Sequence, residues 1–239
     1  MNNTQQTVVF DIETSPSDEL VEKNTKPFDP STVKLGNLKD EEKIAAKIAE
    51  AENKYYENAY SKAALDPITG YICAIGIGYS DNKIELLTGD EPSILERFWK
   101  CFIANPNDNW AYYTGSNNKT TFDIRFILMR SWMNKVKVPW GIVTKTGYFN
   151  GAFVDLAQIY LAGAEYVTYC GLSRAAEQMN LIGEDVGFAT VRSKDELKLS
   201  TGVTGANFHE LLVSDPKAAD TYLINDLALT KALADRILC

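Results

Sequence analysis

Histidine is almost missing from this chain: among 239 residues only His209 carries an imidazole. Sites assembled from several imidazole ligands are therefore excluded. Cysteine is scarce and scattered, at Cys73, Cys101, Cys170 and Cys239, with no CxxC pair. That spacing supports neither a zinc ribbon nor a disulfide framework. No apolar run approaches a membrane span; the longest, "YICAIGIGY" at 71 to 79, is far too short. The opening "MNNTQQT" lacks a basic leader region, so a soluble cytoplasmic protein with no membrane partner is expected. Positive charge is the minority sign, with 24 Lys and Arg against 32 Asp and Glu. Such a balance argues against gripping long nucleic acid by charge alone, though not against binding a short end. Repeats, low-complexity tracts and proline-rich linkers are also absent. A chain of this length with 45% hydrophobic residues can bury one sizeable core, and a single domain over 1–239 is expected.

What is present alternates between strand and helix patterns. "TVVFDIE" reads as a first strand, and a long polar stretch follows it. Within 38–65, Ile44, Ile48, Ala51, Tyr55, Ala59 and Ala63 recur at spacings of three and four, the stripe of an amphipathic inserted helix. "GYICAIGIGYS" and "KIELLTG" read as a hairpin turning at Asp81 and Asn82. "DEPSILERFWKCFIA" is a helix opened by an acid and a proline, then comes a strand at "NWAYYTG" and a helix from about Thr121. "GAFVDLAQIYLAG" gives a short strand running into a helix, and "GLSRAAEQMNL" another helix. The last helix lies within 214–238, capped by Asp215 with Pro216 in its first turn. The order predicts an α/β fold with three leading antiparallel strands.

Three acidic stretches interrupt these elements. Asp11 and Glu13 are two residues apart at the end of an apolar strand, so their side chains share a face. Like charges side by side repel, and the pair needs either a cation or open water. A DxE sequence arises by chance about once in a chain of this length, and Asp40 with Glu42 is such a case, in the first turn of the inserted helix where acids favour the helix dipole. Only Asp11 and Glu13 follow residues that must pack inside, Val8, Val9 and Phe10. Asp123 stands in the first turn of an apolar helix, after a strand end and a polar loop carrying Asn117, Asn118 and Lys119. On its own it is an ordinary helix-start acid; its place after a core strand is where α/β folds put ligands. Tyr222 and Asp226 lie four apart on the last helix, phenol and carboxylate one turn from each other on a face marked as buried by Ala219, Leu223 and Leu227. A lone acid beside a buried face requires a partner.

Taken in order, "FDIET", "NKTTFDIRFI" and "YLINDLALT" resemble the three motifs of the DEDDy 3′-to-5′ exonucleases of the ribonuclease H-like superfamily. The text between them, including "GYICAIGIGY", "GDEPSILERFW" and "FVDLAQIY", is similar to stand-alone relatives of the family B DNA polymerase proofreading domain. The resemblance implies a ribonuclease H-like mixed five-stranded sheet flanked by helices, with 38–65 as an insertion after the first strand. It implies metal ligation by Asp11, Glu13, Asp123 and Asp226, two Mg²⁺ or Mn²⁺ ions as cofactors, and a catalytic set completed by Tyr222, which orients the attacking water. The implied reaction is two-metal hydrolysis of phosphodiester bonds from the 3′ end of DNA, single-stranded, releasing nucleoside monophosphates. Asn118, Lys119, Phe122 and Arg125 fall at the implied substrate positions. Arg125 stands where many members have proline, and the insertion is not part of the minimal fold.

Between Ile124 and Gly147 stand Arg125, Arg130, Lys135, Lys137 and Lys145 without an acid, a stretch expected either to follow the substrate backbone or to be a solvated face. A 3′-5′ exoribonuclease with the same site is the nearest alternative, since carboxylates and a tyrosine do not tell DNA from RNA. A catalytically weak nucleic-acid-binding module of the same fold is the other. His209 precedes Asp226 by seventeen residues, too far for the histidine subtype of the family, and is expected to be structural or on the surface.

Overall fold

The computed structural model describes residues 6–114, 122–139, 142, 152–161, 170–193, 195–197 and 208–238. The strands are β1 (Thr7–Pro16), β2 (Gly70–Gly78), β3 (Ile84–Thr88), β4 (Asn109–Tyr112) and β5 (Phe153–Asp155). They form one sheet in the order β3-β2-β1-β4-β5. β2 and β3 are antiparallel, with Gly76 opposite Leu86, whereas β4 is parallel to both β1 and β5, pairing Ala111 with Val9 and with Val154. The fold is thus an α/β fold around a mixed five-stranded sheet flanked by helices, in agreement with the sequence expectation. The expected hairpin turn is also found: Asn82 takes a positive φ of 68° and the Tyr79 N–H donates to the Lys83 carbonyl.

Contacts divide the chain into two compact units, one of residues Met1–Glu13 with Ile72–Cys239, the other of Thr14–Tyr71. In the larger unit the helices are α3 (Glu91–Ala104), α4 (Phe122–Met133), α5 (Leu156–Tyr160), α6 (Leu172–Gln178), α7 (Phe208–Ser214) and α8 (Pro216–Ile237). Strand alternation sorts the core into two layers. Val8, Phe10, Ile12, Trp110 and Tyr112 pack with α3 and α4, while Val9, Ala111 and Tyr113 pack with α5, α6 and α8. Phe10 is the hub of the first layer, its ring 5.4 Å from Phe98, 5.2 Å from Tyr112 and 6.0 Å from Phe153. Each such aromatic pair contributes about 0.5–1.5 kcal/mol beyond its buried area.

Arg130 belongs to this architecture and not to a substrate track. Its guanidinium makes hydrogen bonds of 2.9, 3.1 and 2.6 Å to the Glu91 carboxylate, and both side chains are only 8% exposed. The Ile72 N–H at 2.7 Å and Asn134 Nδ2 at 2.8 Å complete the coordination of Glu91. A desolvated charge with this many partners has no capacity left for a phosphate. The basic run is therefore one member shorter than its sequence suggests. Charge counting misses the pairing because the partner acid lies 39 residues upstream.

The smaller unit holds α1 (Asp18–Asn24), a 3₁₀ turn (Pro30–Thr32) and α2 (Glu41–Ala63). α2 is the helix expected within 38–65, and Asp40 is its N-cap, accepting from the Glu42 and Lys43 N–H groups. The acids Asp40 and Glu42 thus have the helix-start role expected of them. The apolar stripe is only half covered: Ile44, Ile48, Ala51 and Ala59 are intermediate, and within α2 Ala63 alone is buried. Phe28, Tyr55 and Tyr56 make a small aromatic cluster, with Tyr55 Oη donating to the Lys26 carbonyl at 3.0 Å. Among the described residues, no helix of the chain is long and apolar enough to cross a membrane.

Candidate functional site

The carboxylates of β1 stand on the α8 face of the sheet. Residues 9, 11 and 13 share a side by strand alternation, and Val9 packs in the layer built by α8. α8 itself is fixed against the sheet in two ways. Gly76 of β2 lets it approach closely, since a Cβ there would meet Leu227 Cδ1 at 2.9 Å and Leu223 Cγ at 3.0 Å. Asn225 pins its rotation by accepting from the Arg192 N–H at 3.0 Å and donating to the Arg192 carbonyl at 3.1 Å. Asp226 and Tyr222, one turn apart on this helix, are both buried.

The result is convergence. Asp11, Glu13 and Asp226 each offer a carboxylate oxygen, and these oxygens lie within 4.8 Å of one another. Asp11 is half-buried, Glu13 and Asp226 are buried. The Tyr222 phenol hydrogen-bonds Asp226, and burial first, then the charges of Asp226, Glu13 and Asp11, push its pKa well above the ordinary tyrosine range. Four of the five sequence candidates for catalysis therefore meet at one point. Behind them Cys73 Sγ donates to the Glu13 carbonyl oxygen at 3.3 Å, and burial, reinforced by the Glu13 charge, pushes the Cys73 thiol up to about 12. That thiol is an inert neutral donor at neutral pH.

Asp123 stands in the first turn of α4 and is buried. Its carboxylate takes hydrogen bonds from the backbone N–H groups of Ile12, the residue between the two β1 acids, and of Asp123 itself. Its Oδ2 is buried with no hydrogen-bond partner among the described residues. Burial first, and then the negative charge of Asp155, push its pKa up to about 8. Sequence reading passed over Asp155, the last residue of β5. It is buried and accepts from Thr114 N–H at 3.2 Å, Ala157 N–H at 3.0 Å and Gln158 Nε2 at 3.2 Å. A signal for it existed: an acid closing an apolar strand and opening a helix, in "FVDLAQ".

The implied substrate residues are placed unevenly. Phe122 packs against the α3/α4 layer with its ring 5.4 Å from Phe126, while Arg125 is exposed. Asn118, Lys119 and Lys145 lie outside the described residues. Lys135 and Lys137 are exposed beyond the far end of α4, whose 12 residues span about 18 Å. His209 is half-buried in α7 with its Nδ1 enclosed.

Three hard carboxylate oxygens gathered in a partly buried site are suited to a divalent cation that prefers oxygen ligands, and Asp123 Oδ2 adds a buried acceptor with no hydrogen-bond donor among the described residues. Such a donor set fits Mg²⁺ or Mn²⁺ better than a softer metal. No family model matches the chain, and no match was found among curated proteins. Among solved structures the chain is similar to the family B DNA polymerase from the hyperthermophilic archaeon Pyrobaculum calidifontis, with a TM-score of 0.59 and 17% sequence identity. The similarity covers 98% of this chain and 24% of the polymerase, so the chain spans about a quarter of that protein's length, and what the two share is the fold.

Proposed function

We propose that this protein is a metal-dependent 3′-5′ exonuclease acting on the 3′ end of single-stranded DNA and releasing nucleoside monophosphates. The observation that carries the reading is the convergence of Asp11, Glu13 and Asp226 within 4.8 Å of one another, with the Tyr222 phenol bonded to the third. The motifs that resemble the DEDDy exonucleases contribute these same four residues, and the likeness to a DNA polymerase supports a nucleic-acid substrate. In this reading Asp11, Glu13, Asp123 and Asp226 hold two Mg²⁺ or Mn²⁺ ions. Bound there, the ions would neutralise the phosphodiester, lower the pKa of the attacking water and stabilise the leaving 3′-oxygen.

The side chains do the rest. With its pKa raised, Tyr222 keeps its proton at every physiological pH and is no general base. It can still direct a hydrogen bond, and its fixed place one turn before Asp226 makes it a water-orienting group. Asp123, from the first turn of α4, brings a carboxylate to the Ile12 N–H, between the two acids of β1. Phe122 and Arg125, beside Asp123, are assigned to the substrate.

A time course on 5′-labelled single-stranded DNA and RNA, with Mg²⁺, Mn²⁺ or EDTA, tests the proposal. A metal-dependent ladder shortening from the 3′ end of DNA is expected. Cleavage confined to RNA moves the assignment to an exoribonuclease, since only the 2′-OH distinguishes the two substrates. Cleavage unaffected by EDTA, or none with either polymer, overturns it.

A further inference from the structure

Phe208 is a large, fully buried side chain that no motif accounts for. It opens α7, a helix of seven residues, too short to persist without a surface to dock on. That surface is α8, on which α7 packs. Asp215 alone joins the two helices: its N–H donates to the Leu211 carbonyl at 2.8 Å, closing α7, and its side chain accepts from the Ala218 N–H at 3.1 Å, opening α8. Phe208 and Tyr222 stand seven residues before and after this joint, so each lies about 10 Å from it along its own helix. Arms of equal length bring the two rings together, with 5.8 Å between centroids and a tilt of 52°.

This contact lies outside the main packing of the molecule. Phe208 and Tyr222 are both buried, yet neither belongs to the two layers that cover the sheet. The Tyr222 side chain is held both at its hydroxyl, which bonds Asp226, and at its ring, which meets Phe208. A hydrogen bond at the hydroxyl restrains the oxygen and leaves the ring able to tilt about it, whereas an aromatic neighbour restricts the ring plane itself. We infer that Phe208 is a positioning residue for Tyr222: carried in by α7, it sets the direction in which the phenol points. The inference rests on the nuclease reading above and on the water-orienting role it gives to Tyr222. Phe208 acts through the phenol, so loss of its ring misdirects the attacking water without removing a metal ligand.

The test uses the full chain, with Mn²⁺ titration and with single-turnover and steady-state cleavage of a labelled single-stranded DNA. Phe208→Leu removes the ring and keeps an apolar residue in its place. Expected is a single-turnover rate lower by about ten- to a hundredfold, the range for a slightly misplaced reacting group, with Mn²⁺ affinity and KM unchanged. In a Tyr222→Phe background the same substitution should cost no further rate, because the hydroxyl it positions has gone. A merely structural Phe208 lowers the melting temperature and leaves the rate of the folded protein unchanged. Wild-type cleavage by folded Phe208→Leu overturns the inference, as does an equal loss of rate in both backgrounds or a loss of Mn²⁺ affinity. Should the leucine variant fail to fold, Phe208→Met, whose flexible side chain fills irregular gaps, goes through the same measurements. If neither folds, Phe208 serves the fold and the inference falls. Full-rate cleavage by Tyr222→Phe would remove the role of the phenol and this inference with it, leaving the nuclease reading in place. A wild-type protein that neither binds Mn²⁺ nor cleaves would bring down the nuclease reading itself.

Discussion

The acids around the end of β1 are held under opposite conditions. On the α8 face Asp11, Glu13 and Asp226 crowd together, with a phenol supplied from the same helix as the third acid. At the start of α4, Asp123 is buried, and the charge of Asp155 is among the causes that raise its pKa. Crowding at a partly open point makes a ligand cluster. Burial with one oxygen unpartnered among the described residues makes a group that accepts either a proton or a cation. The contrast teaches that one strand can set up two different electrostatic demands, provided helices from both layers bring their first or middle turns to its end. The largest test of this contrast removes an acid from the crowded face. Asp11→Ala or Asp226→Ala is expected to lower single-turnover cleavage by about 10²- to 10³-fold or more, as loss of preorganised charge stabilisation does. Circular dichroism should show the fold intact, and metal-free Asp11→Ala should melt no lower than wild type, because a repelling acid has gone. Near-wild-type cleavage would mean that the cluster holds no catalytic metal.

A finer cut separates the phenol from the acid beside it. Tyr222→Phe is expected to keep Mn²⁺ affinity while lowering the single-turnover rate by roughly ten- to a thousandfold, the span for losing one positioning contact or transition-state hydrogen bond. Asp226→Asn should lose Mn²⁺ affinity as well. Both residues lie on one face of α8, so a distorted helix would damage both functions in both variants. A wild-type rate for Tyr222→Phe would make it a core tyrosine packed against Phe208, whose ring is 5.8 Å away.

The other half of the contrast, at the start of α4, is sharpened by pH. Asp123 has a folded-state pKa raised from 3.8 to about 8, so its contribution to stability is complete below pH 3.8 and disappears as pH rises through about 8. In EDTA, wild type should therefore lose stability between those limits more steeply than Asp123→Asn, which has no proton to lose there. The melting temperature of the variant should overtake that of wild type on the alkaline side and not at pH 4. Added Mn²⁺ should stabilise wild type more than the variant at pH 8. Parallel pH profiles in EDTA would place Asp123 in a solvated environment.

How much of this was readable beforehand follows from which signals are local. The alternation in "TVVFDIE" fixes Asp11 and Glu13 on one side, and the four-residue step from Tyr222 to Asp226 fixes a helix face, so both halves of the crowded group were legible. The caps at Asp40, Asp90 and Asp215 are local too, and all three helices start where those acids indicate. Short elements are legible only in part: the sequence indicates α5 and α6 but not α1 and α7, of seven residues each, because elements this short display little period and tertiary packing decides them. Pairings across the chain were missed for a different reason. Glu91 with Arg130, and Asp155 with Asp123, are separated by dozens of residues, and nothing in either stretch names the other. The stripe on α2 was found, yet its half exposure was not, because periodicity reports a face and not the quantity of protein covering it.

The smallest expected effect concerns the remaining cations of the basic run, and it follows from the length of α4. Arg125 is exposed one turn or less from Asp123, whereas Lys135 and Lys137 are exposed past the other end of a helix about 18 Å long. A phosphate beside the last nucleotide can meet Arg125 and cannot at the same time meet the two lysines. Binding of a single-stranded oligonucleotide, measured with Ca²⁺ across a salt series, should therefore give Arg125→Gln a slope of log K against log salt shallower by about one. Lys135→Gln and Lys137→Gln should retain the wild-type slope. Arg130 is not a partner in this comparison, since its charge is spent on Glu91 and its replacement would leave a buried carboxylate unpaired. A shallower slope for the lysine variants, with Arg125→Gln unchanged, would move the nucleic-acid track to the far end of α4 and break the link between Asp123 and the substrate.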